Sequence, residues 1–140
     1  MAYVYAALGG VLGALARWAV AEALPHSPGA WPWSTLLVNL LGCLAIGALL
    51  AVLLARFPHS RGLRPFLAVG VLGGFTTYST FAVDVVELTG AGRAPLAVAY
   101  VLASVLGGAC AVVAGLVTAR AAIRAADTVD AELRAGGGTS

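Results

Sequence analysis

The sequence predicts an all-α integral membrane protein with four transmembrane helices. Of its 140 residues, 61% are hydrophobic and only 10% are charged, whereas a soluble domain carries roughly 25% charged residues. The mean hydropathy is +0.96, and four apolar runs each reach the roughly 20 residues that a helix needs to cross a bilayer. Because so short a chain cannot bury this much apolar surface internally, a soluble enzyme and a disordered chain are excluded.

The four predicted spans are separated by short breaks rich in proline, glycine and polar residues. They cover residues 3–24, 33–54, 66–88 and 96–118. Short connections predict that consecutive helices run antiparallel. The spans form one transmembrane domain over residues 1–120, and residues 121–140 are predicted to be a polar tail that begins as a helical extension and ends in partial disorder.

The basic residues, all of them arginines, are distributed unevenly between the two ends of the predicted bundle. Two lie at the end opposite the termini, Arg17 and Arg93. Six lie at the end that holds the termini: Arg56, Arg61, Arg64, Arg120, Arg124 and Arg134. The positive-inside rule therefore predicts mainly cytoplasmic termini in a cell membrane protein. The net charge of +2 is too small for binding to nucleic acid, which depends on phosphate neutralisation.

The third span contains the segment least suited to a continuous helix. Residues 73–81 read Gly-Gly-Phe-Thr-Thr-Tyr-Ser-Thr-Phe, and both glycine and β-branched residues weaken a helix. We expect a break near mid-membrane, where unwound backbone is tolerated only under a cover of protein or beside a watery cavity. Such a break exposes carbonyls and N–H groups that can bind ions. The alternative is a kinked helix whose hydroxyls bond back to its own carbonyls.

Polar and aromatic side chains near this segment form a candidate anion path. Asn39 is the one side-chain amide of the chain, and it serves either as interhelical glue or as a donor to a permeating solute. Tyr78 and Phe81 share a helix face; they are either core aromatics or contacts for a small anion, which their positive ring edges suit. Arg17 is either a snorkelling anchor or a vestibule charge that attracts anions.

The remaining reactive side chains form no recognisable catalytic or metal-binding pattern in the sequence. Cys43 and Cys110 lie within apolar runs and are interpreted as small buried hydrophobes. His26 and His59 are isolated loop residues, to which we assign no metal. Since no nucleophile lies near a base in any recognisable pattern, we do not expect an enzyme.

Three motifs, taken together, resemble the Fluc/CrcB family of fluoride channels. They are residues 9–18 (GGVLGALARW), 33–42 (WSTLLVNLLG) and 73–81 (GGFTTYSTF), and the resemblance extends over nearly all of the chain. It implies a fluoride-selective passive channel that exports cytoplasmic fluoride and so lowers fluoride toxicity. The implied architecture is an antiparallel, dual-topology dimer with two narrow pores.

The resemblance also implies the roles of individual residues. A structural Na⁺ at the dimer centre is held by the backbone carbonyls of Gly73 and Thr76, and Arg17 stands at the aqueous vestibule. Tyr78 departs from the family pattern, which usually has Phe there, and Gly108 replaces a hydroxyl that some relatives carry. The implied lining of the fluoride pore is Asn39, Tyr78, Ser79, Thr80, Phe81, Tyr100 and Ser104.

Other functions and assemblies are compatible with four short spans. A small dual-topology drug/proton antiporter expects an acidic residue within its first span, but Glu22 lies too near the end of that span. A non-conducting structural membrane subunit is the third alternative. The six-to-two arginine bias suggests a preferred orientation, so a heterodimer with a homologous subunit is an alternative to the homodimer.

Overall fold

The computed structural model describes residues 1–60 and 62–136, and this part of the chain is helical apart from its connections. Arg61 lies outside the described residues. So do residues 137–140, which form the end of the predicted tail. We number the helices α1 to α5 in chain order. They are α1 (Ala2–Ala23), α2 (Trp33–Arg56), α3 (a π-helix over Arg64–Leu72 that continues as Gly73–Phe75), α4 (Tyr78–Gly90) and α5 (Ala94–Gly136).

Within residues 1–60 and 62–136, four helical stretches are long and apolar enough to cross a membrane, which confirms the predicted number of spans. They are Ala2–Ala23, Trp33–Arg56, Arg64–Gly90 and Ala94–Arg134, with α3 and α4 together forming the third. Only 11% of the apolar window in the first stretch is buried. So much exposed apolar surface requires lipid or another protein around it, and the chain is a multi-pass membrane protein.

The bundle is built from two closely packed pairs, α1 with α3 and α2 with α5. Glycines bring the backbones together: a methyl group added at Gly13 would strike the Val71 carbonyl, and one at Gly115 would strike the Leu44 carbonyl. The hydrophobic effect does not drive helices together in lipid, so close van der Waals packing at small residues holds these pairs together instead.

The backbone leaves the helical conformation at Thr76 and Thr77, between α3 and α4, and we call these two residues the break. Thr76 has ψ 155° and Thr77 has φ −146° and ψ 124°, both extended. Thr77 is the N-cap of α4, and its hydroxyl accepts the N–H of Thr80. Threonine is among the residues that favour this position, because its oxygen satisfies a free N–H group of the first turn.

The α1–α2 loop and the α4–α5 turn meet at the end of the bundle opposite the termini. Gly92 has φ +74°, and its N–H donates to the Thr89 carbonyl while that of Arg93 donates to the Leu88 carbonyl. This paired pattern is a Schellman motif, whose left-handed position favours glycine. A methyl group added at Gly29 would lie 3.0 Å from the Ala91 side chain, so the two connections are in contact.

At the other end of the bundle, α5 continues well beyond its neighbours. Its 43 residues extend about 65 Å at 1.5 Å per residue, roughly twice the thickness of a hydrocarbon core. Arg56, at the end of α2, forms an ion pair with Asp127 on this extension. The predicted tail is therefore a continuous helix through Gly136.

Candidate functional site

The extended backbone between α3 and α4 is held by Asn39, which lies in the first third of α2. The Nδ2 group of Asn39 donates to the Thr77 carbonyl at 3.0 Å, and the Thr77 N–H donates to Asn39 Oδ1 at 2.9 Å. The amide thus satisfies both backbone groups of a residue that has left the helix. Since Nδ2 has two N–H bonds, one N–H of Asn39 remains beyond this pairing.

Two backbone N–H groups near the break do not donate to the carbonyls that they would bond in an uninterrupted helix. In an α-helix the N–H of residue 77 would donate to the Gly73 carbonyl, and that of residue 80 to the Thr76 carbonyl. Here the first donates to Asn39 and the second to the Thr77 hydroxyl at 3.2 Å. The carbonyls of Gly73 and Thr76 are therefore released from their helical donors at the break.

Three hydroxyls cluster at the start of α4. The Thr77 hydroxyl lies 3.2 Å from that of Ser79 and 3.0 Å from that of Thr80. The Thr76 hydroxyl, in contrast, bonds back to the Leu72 carbonyl at 2.9 Å, as the kinked-helix alternative expected for such groups. Hydroxyls can reorient between donating and accepting, so the cluster at Thr77 can redirect its hydrogens toward an anion.

A groove of about 500 Å³ opens beside the break. Six of the predicted site residues line it: Asn39, Gly73, Thr76, Tyr78, Phe81 and Ser104. The Ser104 hydroxyl is buried and has no hydrogen-bond partner among the described residues. Tyr78 is 81% exposed, so the groove is open on the outer face of this single chain.

Aromatic rings form a row from the groove toward the loop end of the bundle. The centroids of Tyr78 and Phe81 are 5.9 Å apart, and Phe81 lies 5.4 Å from Tyr100. Tyr100 in turn packs edge-on against Trp31 at 5.7 Å. These separations are typical of favourable aromatic pairs, whose edges carry partial positive charge.

The Tyr100 side chain is hydrogen-bonded to a buried carboxylate on α4, that of Asp84. Its hydroxyl donates to Asp84 Oδ2 at 3.0 Å, and Tyr100 and Asp84 are 0% and 4% exposed. The other carboxylate oxygen, Oδ1, lies 3.7 Å from His26 Nε2. The expectation that His26 is isolated is therefore wrong, because the α1–α2 loop folds over the end of α4.

A second cavity, of about 470 Å³, lies between α1, α2 and the start of α4. We call it the vestibule; its polar lining consists of Arg17, His26, Ser34, Thr35, Thr77 and Thr80. Thr77 lines both the vestibule and the groove. Arg17 lines the vestibule and not the groove, and Thr77 is a residue that the two cavities share.

Comparison with known proteins places this arrangement in a family. A family model described as "CrcB-like protein, Camphor Resistance (CrcB)" matches residues 4–116, which is most of the chain and reaches into each of the four spans. The chain belongs to the CrcB family. The family membership implied by the three sequence motifs is confirmed.

Relatives of this CrcB-family chain carry more specific names. A protein of Nocardia farcinica, "Fluoride-specific ion channel FluC 2", is 43% identical over 119 residues, covering 85% of each chain. "Fluoride-specific ion channel FluC" of Paracoccus denitrificans is 44% identical over 84% of this chain and 94% of that protein. A Streptomyces avermitilis protein named "Fluoride-specific ion channel FluC 2" is 47% identical over 70% of this chain but 62% of its own length. These names describe channels and not enzymes.

Two residues at the centre of the site were missed by sequence reasoning. Thr77 holds the break, and its position just before a helix that begins at Tyr78 is a signal for an N-cap. Asp84 is not among the residues that the sequence analysis singled out. It lies three residues after Phe81, which places both on one helix face, and this spacing could have identified it.

Proposed function

We propose that this CrcB-family chain is a fluoride-selective passive channel of the cell membrane, which lets cytoplasmic fluoride leave and so lowers its toxicity. The names of its relatives support a fluoride channel. The observation that carries the proposal is the position of Thr77, which lines the vestibule with Arg17 and the groove with Phe81. Thr77 and the hydroxyls beside it thereby lie between the cavity that contains Arg17 and the aromatic groove.

The chemistry of this series suits a small, strongly hydrated anion. Arg17 raises the local concentration of anions in the vestibule. The hydroxyls of Thr77, Ser79 and Thr80 then replace water molecules of the hydration shell. The edges of Tyr78 and Phe81, the spare N–H of Asn39 and the Ser104 hydroxyl continue that role in the groove.

Passive conduction also requires that the anion can leave. None of the described residues that line the groove carries a positive charge. Neutral dipoles and ring edges bind fluoride weakly enough for rapid exit, whereas a fixed cation would hold it. The lining of the groove therefore favours conduction of fluoride over its tight binding.

We further propose that a second subunit closes the groove in an antiparallel, dual-topology dimer. Tyr78 is 81% exposed on the open face of the groove, and an anion could not pass there beside lipid. The partner is another copy of this chain or a homologous subunit of opposite orientation. In this assembly the third helix is broken near mid-membrane, and the termini of this chain lie mainly in the cytoplasm.

Na⁺ is the proposed structural ion of this dimer, and the donor set fits it. The carbonyls of Gly73 and Thr76 are released from their helical donors, because Thr77 N–H and Thr80 N–H bond elsewhere. Carbonyl oxygens are suitable ligands for a hard cation, and unwound helix ends coordinate Na⁺ in other membrane proteins. The bound ion would neutralise these dipoles and hold the two breaks together.

Fluoride efflux from liposomes tests the channel directly. Purified protein in vesicles loaded with potassium fluoride is expected to discharge the gradient within minutes of adding valinomycin, as measured with a fluoride electrode. Vesicles loaded with potassium chloride should retain their chloride, since the larger ion does not fit the row of donors. Equal fluxes of the two halides would refute a fluoride-selective pore.

The orientation of the chain decides between the two dimers. We expect a reporter fused to the C-terminus to report the cytoplasm predominantly, because the sequence assigns six of the eight arginines to the side that holds the termini. Equal signals from both sides of the membrane would instead identify a self-pairing, dual-topology chain. A matched fusion of Arg56→Ser should shift the distribution toward equality if the arginines set it.

A further inference from the structure

We propose that His26, Asp84 and Glu87 form a binding site for a divalent transition metal, of which Zn²⁺ is the best fit, at the loop end of the bundle. One ligand atom from each of these three residues lies within 4.8 Å of the other two. Two come from α4, where a spacing of three residues places them on one face. The third comes from the α1–α2 loop.

The separation of the first two ligands suits a metal better than a direct hydrogen bond. His26 Nε2 lies 3.7 Å from Asp84 Oδ1, which is beyond ordinary hydrogen-bond distance. Two ligands of a tetrahedral Zn²⁺, each about 2.1 Å from the metal, are roughly 3.4 Å apart. A small side-chain movement would therefore bring both onto one ion, with Glu87 as the third ligand and water as the fourth.

Tyr100 supplies an independent observation that points to a ligand role for Asp84. Its hydroxyl donates to Oδ2 at 3.0 Å, which fixes the carboxylate and leaves Oδ1 directed toward His26. Partners of this kind orient the ligands of many metal sites and increase their basicity. The carboxylate is only 4% exposed, and burying a negative charge is unfavourable unless a positive one accompanies it.

The chemistry of the ligands selects the class of metal. Ca²⁺ and Mg²⁺ prefer sites made wholly of oxygen, whereas an imidazole with carboxylates suits Zn²⁺. Glu87 is exposed and His26 is partly exposed, so the ion can arrive from water. His26 also lines the vestibule, so a bound ion would tie the α1–α2 loop to α4 at its edge.

Titration of the detergent-purified, full-length protein with Zn²⁺ alone tests the site by calorimetry. One Zn²⁺ per chain is expected, with affinity weakened at least about tenfold in His26→Ala and in Glu87→Gln. His59→Ala is the matched control, because His59 is exposed in the other loop, and it should bind as the parent does. Binding does not depend on fluoride conduction, so the two proposals fail separately.

Two outcomes overturn the proposal. One is the absence of a 1:1 site for Zn²⁺ at concentrations up to about 100 μM, since a three-ligand site should bind more tightly. The other is equal affinity in the parent and in Glu87→Gln. Glu87 is exposed, so this variant is expected to fold and decides the question even where His26→Ala does not.

Discussion

Asn39→Ala is expected to reduce fluoride efflux by at least about 30-fold. The substitution removes two hydrogen bonds to Thr77, at 3.0 and 2.9 Å, and leaves an unwound N–H and C=O without partners inside the bundle. Each unpaired group costs about 1–3 kcal/mol, and about 2 kcal/mol lowers the population of the braced, conducting conformation about 30-fold. The break would then rearrange, and the spare donor of Asn39 would be lost as well. Electrode-monitored efflux from liposomes measures the change.

Leu41→Ala is the matched control for this prediction. Leu41 lies two residues further along α2 and is 51% exposed, so its truncation should leave efflux within about twofold of the parent. Both variants should elute as the parent does on size exclusion, because neither changes the glycine contacts between helices. Unchanged efflux in Asn39→Ala would remove the amide from both of its proposed roles, bracing the break and contacting the anion.

The number and approximate limits of the spans followed from composition, because lipid requires long apolar helices and leaves few alternatives. The predicted third span, residues 66–88, corresponds to Arg64–Gly90. The length of α5 could not be predicted in this way. Its polar extension has the composition of a tail, and its continuation through Gly136 includes an ion pair with Arg56 that no local pattern reveals.

The candidate site was predictable in its residue types but not in its pairings. The presence of one amide and a run of hydroxyls indicated polarity within the membrane. The sequence left open whether Asn39 acts as glue or as a solute donor, and its bonds to Thr77 place it first as glue. The proximity of His26 to Asp84 depends on how a loop closes over α4, which residues 58 positions apart cannot indicate by spacing.

Gly13→Ala is expected to destabilise the bundle by about 3 kcal/mol. The added methyl group would strike the Val71 carbonyl and approach the Phe75 N–H at 2.7 Å. Overpacking typically costs about 1–3 kcal/mol, and the upper end applies here because both obstacles are backbone atoms that cannot change rotamer. The helices α1 and α3 must therefore separate, and α3 carries the residues that lead into the break. Thermal unfolding followed by size exclusion measures the loss, and efflux should fall with the folded fraction.

Gly10→Ala provides a control with the same chemical change on the same helix. A methyl group at Gly10 would meet no atom within 4 Å, and alanine is favoured over glycine in a helix by about 1 kcal/mol. This variant should unfold at the parent's temperature or slightly above it. Both variants add one methyl group to α1, so any difference between their unfolding temperatures reflects the packing at each position and not the glycine-to-alanine change itself. If the two variants unfolded at the same temperature, the close approach of α1 and α3 at Gly13 could not be what limits the stability of the bundle.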